Sequence, residues 1–166
     1  MSVIAYKDAR RDLDARRNSG WNTMEKVKKA IQFFLRDLGL HHHHIILTDG
    51  DKVEEFSNFT EYGTPQVEIV VCIEPPRQEN YGECYQHDPF LVVVDSSLSL
   101  LKQLIVLAHE LKHVQEYVKM GGTSEESAHK YDIRGLWYGL QLNLISLREY
   151  KQLIKTSSVN PSWGCL

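Results

Sequence analysis

The segment LIVLAHELKHVQEYVKMGG, Leu104 to Gly122, constrains this chain more than any other. Its first half is apolar, its spacing is helical, and two glycines close it. Within it His109, Glu110 and His113 form the pattern H-E-x-x-H. Residues four apart on a helix share a face, one turn apart. His109 and His113 therefore aim two imidazoles at one point. Zinc accepts neutral imidazole nitrogen, prefers four ligands, and at a catalytic site keeps one position for water. Glu110, beside the first histidine, reaches that water without binding the metal and serves as base and then acid. The plain alternative is an amphipathic helix that happens to carry two histidines. A chain of this composition matches the pattern by chance only about 0.03 times. The apolar lead-in LLKQLIVLA also buries the helix, where a histidine pair needs partners. The expectation is one Zn2+ per chain.

A third ligand is required. The next helix opens TSEESAHKYD from Thr123. Thr123 and Glu126 match a capping box, which leaves Glu125 for another task. From Glu125, at about 100° per residue, Ala128, Asp132, Gly135 and Gly139 fall within about a quarter turn. So small a face lets two helix backbones approach closely and directs Glu125 at the histidines. Glu126 is the fallback ligand. The plain alternative is that both glutamates merely place negative charge at a helix N-terminus.

His109-Glu110-Leu111-Lys112-His113, followed after Gly121-Gly122 by EESA, resembles the gluzincin clan of zinc metallopeptidases. The likeness is to the compact minigluzincin and phage or bacterial HExxH–ExxA types, and spans about residues 66 to 140. HExxH is specific; ExxA alone is weak. The resemblance implies that the first glutamate of E-x-x-A, Glu125, is the third ligand. It also implies a zincin-like fold: a small twisted sheet with a motif helix and a glutamate helix packed on one side. There is one departure. One turn after the ligand glutamate, many relatives carry an acidic or amide residue that orients a ligand histidine; here that position is His129. His129 then hydrogen-bonds the site, replaces Glu125, or faces solvent, and Asp132 is the alternative orienter. Peptide hydrolysis also calls for an oxyanion stabiliser. The candidates are Tyr131, Tyr138, Tyr81, Tyr85 and His87. Trp137 and Leu140 are assigned to the core.

The rest of the chain reads as scaffold. Its 166 residues suit one domain, with a helical N-terminal part over about 1–40 and an irregular tail over about 156–166. NTMEKVKKAIQFFLRDLGL predicts a helix capped by Asn22 or Thr23, with Val27, Ile31, Leu35 and Leu38 on one face and a stop at Gly39. A shorter charged helix is expected over about 6–17. HHHHIILTDGDKVEEF reads as two strands around an Asp49-Gly50 turn. In QVEIVVCIE one face, Val67, Ile69, Val71 and Ile73, is wholly apolar, and Pro75-Pro76 ends the strand. RQENYGECYQHD reads as a loop. FLVVVDSS is a buried strand leading to a helix capped by Asp95, Ser96 or Ser97. The second C-terminal helix should run from Thr123 to about Leu147, with more helix directly after. Helix, strands, helix, helix makes an α+β domain.

His41 to His44 reads as a polar strand start rather than a metal tract. Cys84 and His87 have metal-like spacing without a second pair, and Cys165 as a ligand enforcing latency is disfavoured. A net charge of −3 gives no reason to expect nucleic acid or an anionic membrane as partner. No apolar run approaches the ~20 residues of a membrane span, and the N-terminus lacks the apolar core of a secretory signal. Cys72, Cys84 and Cys165 cannot all pair and read as thiols of a reducing, cytoplasmic setting. The expected function is hydrolysis of a peptide or protein lying along an exposed strand. Hydrolysis of a non-peptide amide, and a zinc-bearing regulatory or inhibitory module that docks a partner, are the alternatives.

Overall fold

The computed structural model describes residues 23–40, 43–58, 67–75, 82–85 and 90–157. Helix α1 covers 23–37. Val27, Ile31, Leu35 and Leu38 are buried as their spacing predicts, together with Met24, Ala30 and Phe34. Gly39 ends the helix at φ +71°, which lets Leu40 N–H donate to the Leu35 carbonyl at 2.8 Å. Asn22, the segment 6–17 and the tail beyond 157 lie outside the described residues.

Two strands follow, β1 (His43–Thr48) and β2 (Val53–Asn58). Asp49 Oδ1 closes their turn by accepting from Asp51 N–H at 3.0 Å and Lys52 N–H at 2.7 Å, while Gly50 takes φ +95°. β3 (Val67–Glu74) pairs parallel with β1 and with β5 (Phe90–Asp95). β4 (Gly82–Tyr85) pairs antiparallel with β5. The sheet order is β2-β1-β3-β5-β4, so β2 and β4 are its edges. β4 corrects the loop expected over this region. Four residues are too few to show alternation, and an edge strand needs backbone pairing on one side only.

Ile45, Leu47, Ile69, Val71, Ile73, Val92 and Val94 face one side of the sheet, where they join α1 and helix α2 (Leu100–Met120) in one core. Leu104, Leu107 and Leu111 of α2 are buried there, each contributing about 1.5–3 kcal/mol. The α2 cap is Ser99, whose Oγ accepts from Lys102 N–H, and not Asp95, Ser96 or Ser97. Asp95 Oδ1 instead accepts from the backbone and hydroxyl of Ser97, closing a separate turn ahead of the helix. At the far end Gly121 alone takes the left-handed conformation, φ 71°, and donates to the Tyr117 carbonyl. Gly122 does not share it.

Helix α3 (Glu125–Gln141) is capped by Ser124, and it stops six residues short of Leu147. Asn143 at φ 58° turns the chain, and Ser146 then caps helix α4 (Leu147–Ser157). Ser146 Oγ accepts from Glu149 N–H while Glu149 Oε1 accepts from Ser146 N–H, a reciprocal box that starts a new helix. The α+β assignment therefore stands, with a mixed five-stranded sheet and helices.

α3 packs directly on α2 through the small face. Ala128, Gly135 and Gly139 are buried in it. A Cβ on Gly135 would lie 2.7 Å from Ile105 Cα and 2.8 Å from the Leu104 carbonyl oxygen, both backbone atoms. One on Gly139 would meet the end of the Leu101 side chain, which can rotate. Gly135→Ala is therefore expected to cost about 1–3 kcal/mol net in urea unfolding, despite the better helix propensity of alanine. Gly139→Ala should cost less. The reverse order would mean that the tight point of the contact lies elsewhere.

Candidate metal centre

The close approach of α2 and α3 brings three donor groups together. His113 Nε2 lies 2.8 Å from Glu125 Oε1, and His109 Nε2 lies 3.3 Å from Glu125 Oε2. The two imidazoles stand edge to face, with centroids 4.8 Å apart and planes at 87°. One ligand atom from each of His109, His113 and Glu125 lies within 4.8 Å of the others, a spacing that a single ion can bridge. His113 is 6% exposed, whereas the Glu125 side chain is 69% exposed. The centre thus has a buried wall on α2 and a solvent-facing rim at the start of α3.

Asp132 supports this set from behind. Its carboxylate is buried and accepts from His109 Nδ1 at 2.9 Å. That bond favours a proton on Nδ1 and turns Nε2 toward Glu125, the nitrogen a neutral imidazole would offer to a metal. The second carboxylate oxygen lies 3.3 Å from His129 Nδ1. His129 Nε2 is 3.8 Å from Glu125 Oε2, and its side chain is 44% exposed. His109, His129 and Asp132 also form a compact trio. In that trio Asp132 meets His109 through Nδ1, the nitrogen turned away from Glu125, so the trio is the outer hydrogen-bonded layer of the same centre.

Glu110 is buried at 7% exposure on the motif helix, next to His109. Glu126 is exposed and pairs with Lys130 at 3.5 Å; it joins neither the centre nor a capping box with Thr123. The cap is made by two other residues. Ser124 Oγ accepts from Ser127 N–H, and the Ser124 N–H donates to Glu116 Oε2. Glu116 is fully buried, and sequence reasoning missed it. A helical wheel carries the signal: Glu116 falls about 20° from His109, on the histidine face.

The tyrosines serve elsewhere. Tyr131 donates its hydroxyl to Asp37 at 2.8 Å, and burial and that carboxylate push its pKa up. Tyr138 packs on Phe33 and Phe34, and lies about 20 Å along α3 from Glu125. Neither is available as an oxyanion donor. Trp137 stacks on Phe33 and Leu140 is half-buried. Of the histidine run, His44 is described: it contacts Glu55 and lies 3.7 Å from Glu68, a polar pairing at a strand start. His41, His42, Tyr81, His87 and Cys165, with the side chains of His43, Cys84 and Tyr85, lie outside the described residues.

Comparison with family models, with curated proteins and with solved structures returned no match. Among the described residues no helix is long and apolar enough to cross a membrane.

Burial disfavours the charged form of His109, but the hydrogen bond and charge of Asp132, with Glu110 and Glu125 behind them, more than offset it and raise the pKa. His113 moves the other way, because burial and the charge of His109 outweigh Glu125 and Glu116. In metal-free protein the two therefore act with opposite sign. The stability from His109 is fully present below pH ~6.5 and is lost as pH rises through its raised value. That from His113 is present above pH ~6.5 and is lost as pH falls through its lowered value. Asp132→Asn should lower the His109 pKa in an NMR titration and flatten the first of these dependences. It should also weaken zinc binding about 10–100-fold. An unchanged His109 titration would show that Asp132 does not orient it.

Proposed function

We propose that the chain is a zinc-dependent metallopeptidase with a zincin-like architecture of gluzincin type. The observation that carries this reading is the convergence of His109 Nε2, His113 Nε2 and the Glu125 carboxylate, with Asp132 holding the far side of His109. Two imidazoles and one carboxylate are a donor set suited to zinc at a catalytic site. One Zn2+ held there would polarise a scissile carbonyl and acidify a water.

The remaining work falls to side chains of this chain. Glu110, one residue from the first ligand and buried at 7% exposure, takes the proton of the attacking water and returns it to the leaving amine. The substrate is a peptide or protein segment lying extended along β4. That strand is an edge of the described sheet and contacts the motif helix, and an edge strand is suited to give main-chain hydrogen bonds to an extended peptide. The odd number of cysteines, 3, supports a cytoplasmic setting.

Metal analysis and peptide cleavage test this directly. Wild type is expected to hold one zinc per chain and His113→Ala none. Glu110→Gln should keep the zinc and lose about 10²–10⁴-fold in turnover. A Glu110→Gln variant as active as wild type would remove the base assignment, and a wild type that takes up no zinc would remove the whole reading. Partner capture without any new cleaved terminus would favour a docking module instead.

A further inference from the structure

A histidine that ligates through Nε2 must carry its proton on Nδ1, and that proton needs an acceptor when buried. His109 has one in Asp132. His113 is the more deeply buried of the pair, yet its Nδ1 is shielded from solvent and meets no hydrogen-bond partner among the described residues. A second orphan lies close by. Glu116 Oε1 is equally shielded and likewise meets no hydrogen-bond partner among the described residues. The two residues are three apart on α2, which makes them neighbours on the helix surface. One orphan is a donor in the ligating tautomer and the other an acceptor; as they lie beyond direct hydrogen-bond distance of each other, a bond bridged by one water satisfies both. A fully buried carboxylate oxygen left unpaired would be costly, which gives that bond a strong driving force.

We propose that Glu116 is the positioning residue of His113: its Oε1 accepts the Nδ1–H across one ordered water, while its Oε2 holds the backbone of Ser124. The proposal rests on the zinc reading above and extends it. It makes one buried carboxylate serve both sources of ligands. Through Oε2 it fixes the first turn of α3, and hence Glu125, the residue after Ser124. Through Oε1 it fixes the ring of His113 on α2. Asp132 reaches from α3 back to α2, and Glu116 reaches from α2 to α3. The two carboxylates thus tie the helices in opposite directions on either side of the centre.

Glu116→Gln separates these roles. Glutamine keeps the volume but has a single oxygen, so it can accept from Ser124 or from His113 and not from both. If the oxygen stays on Ser124, the amide presents hydrogens to His113 Nδ1 and favours the tautomer that cannot bind through Nε2. The zinc-loaded protein should show two imidazole Nδ1–H protons protected from solvent exchange. Asp132→Asn should remove the His109 signal and Glu116→Gln the His113 signal. Zinc affinity, measured by competition with a chromophoric chelator, should fall about 10–100-fold in Glu116→Gln. Ser124→Ala, which weakens the same helix start without touching His113, should leave the His113 proton protected.

A purely structural Glu116 would lower thermal stability and leave that proton and the affinity unchanged, which overturns the proposal. Wild type alone suffices should Glu116→Gln fail to fold. A His113 Nδ1–H that exchanges as fast as free imidazole in the zinc-loaded protein refutes the bond. Absence of zinc from wild type removes the reading of the centre itself, and this inference with it.

Discussion

The contact between the α2 and α3 backbones is the constraint on which the rest of the centre depends. Glu125 and Asp132 reach the histidines because Gly135 sits against Ile105 with no room for a side chain. Helix axes normally stand 8–10 Å apart, and small residues at the crossing set the near end of that range. A carboxylate has a short reach, and two of them must meet imidazoles on the neighbouring helix at hydrogen-bond distance. A larger residue in the crossing would move both by the same displacement. The glycines are therefore part of the site although they carry no chemistry.

That geometry concentrates titratable groups where few are tolerated. Glu110, His113, Glu116 and Asp132 are all buried, against the general rule for charged and polar side chains. Burial without pairing would favour the neutral forms and unsettle the fold. Here each helix supplies partners for the other: Asp132 for His109, Glu125 for both histidines, Glu116 for the start of α3. The opposite pKa shifts of His109 and His113 reflect this division. One imidazole faces a buried carboxylate, and the other faces burial with a histidine beside it.

The residues that the structure brings together were legible in the sequence where periodicity determines geometry. H-E-x-x-H places His109 and His113, and the small face of the next helix places Glu125 and Asp132. The strand alternation of Ile69, Val71 and Ile73 predicts a buried face in the same way. What escaped depends on partners distant in the chain or on competition among equivalent local signals. The Tyr131 hydroxyl is engaged by Asp37, 94 residues earlier, which no local pattern encodes. Thr123 and Glu126 satisfy the capping-box pattern, but Ser124 with Glu116 makes the cap, because a buried carboxylate outcompetes one that water already solvates. β4 was lost to its brevity, and the break between α3 and α4 to a Ser146–Glu149 box inside an otherwise continuous helical pattern.

The sequence leaves three roles open to His129, and its relation to Asp132 gives it a definite character. Asp132 contacts two imidazoles with its two oxygens, His109 at 2.9 Å and His129 at 3.3 Å. The shorter contact is also the better shielded, since the His109 side chain is 13% exposed and that of His129 is 44%. A hydrogen bond gains strength as the local dielectric falls. Asp132 is therefore committed to His109, and His129 competes for it only from the solvent side. Asp132, and not the residue one turn after Glu125, is the carboxylate that holds His109. His129 is left on the open rim, 3.8 Å from the Glu125 carboxylate and outside the tight set of His109, His113 and Glu125. His129 thus adds an exposed imidazole to the solvent-facing rim, while Asp132 fixes His109 from the buried side.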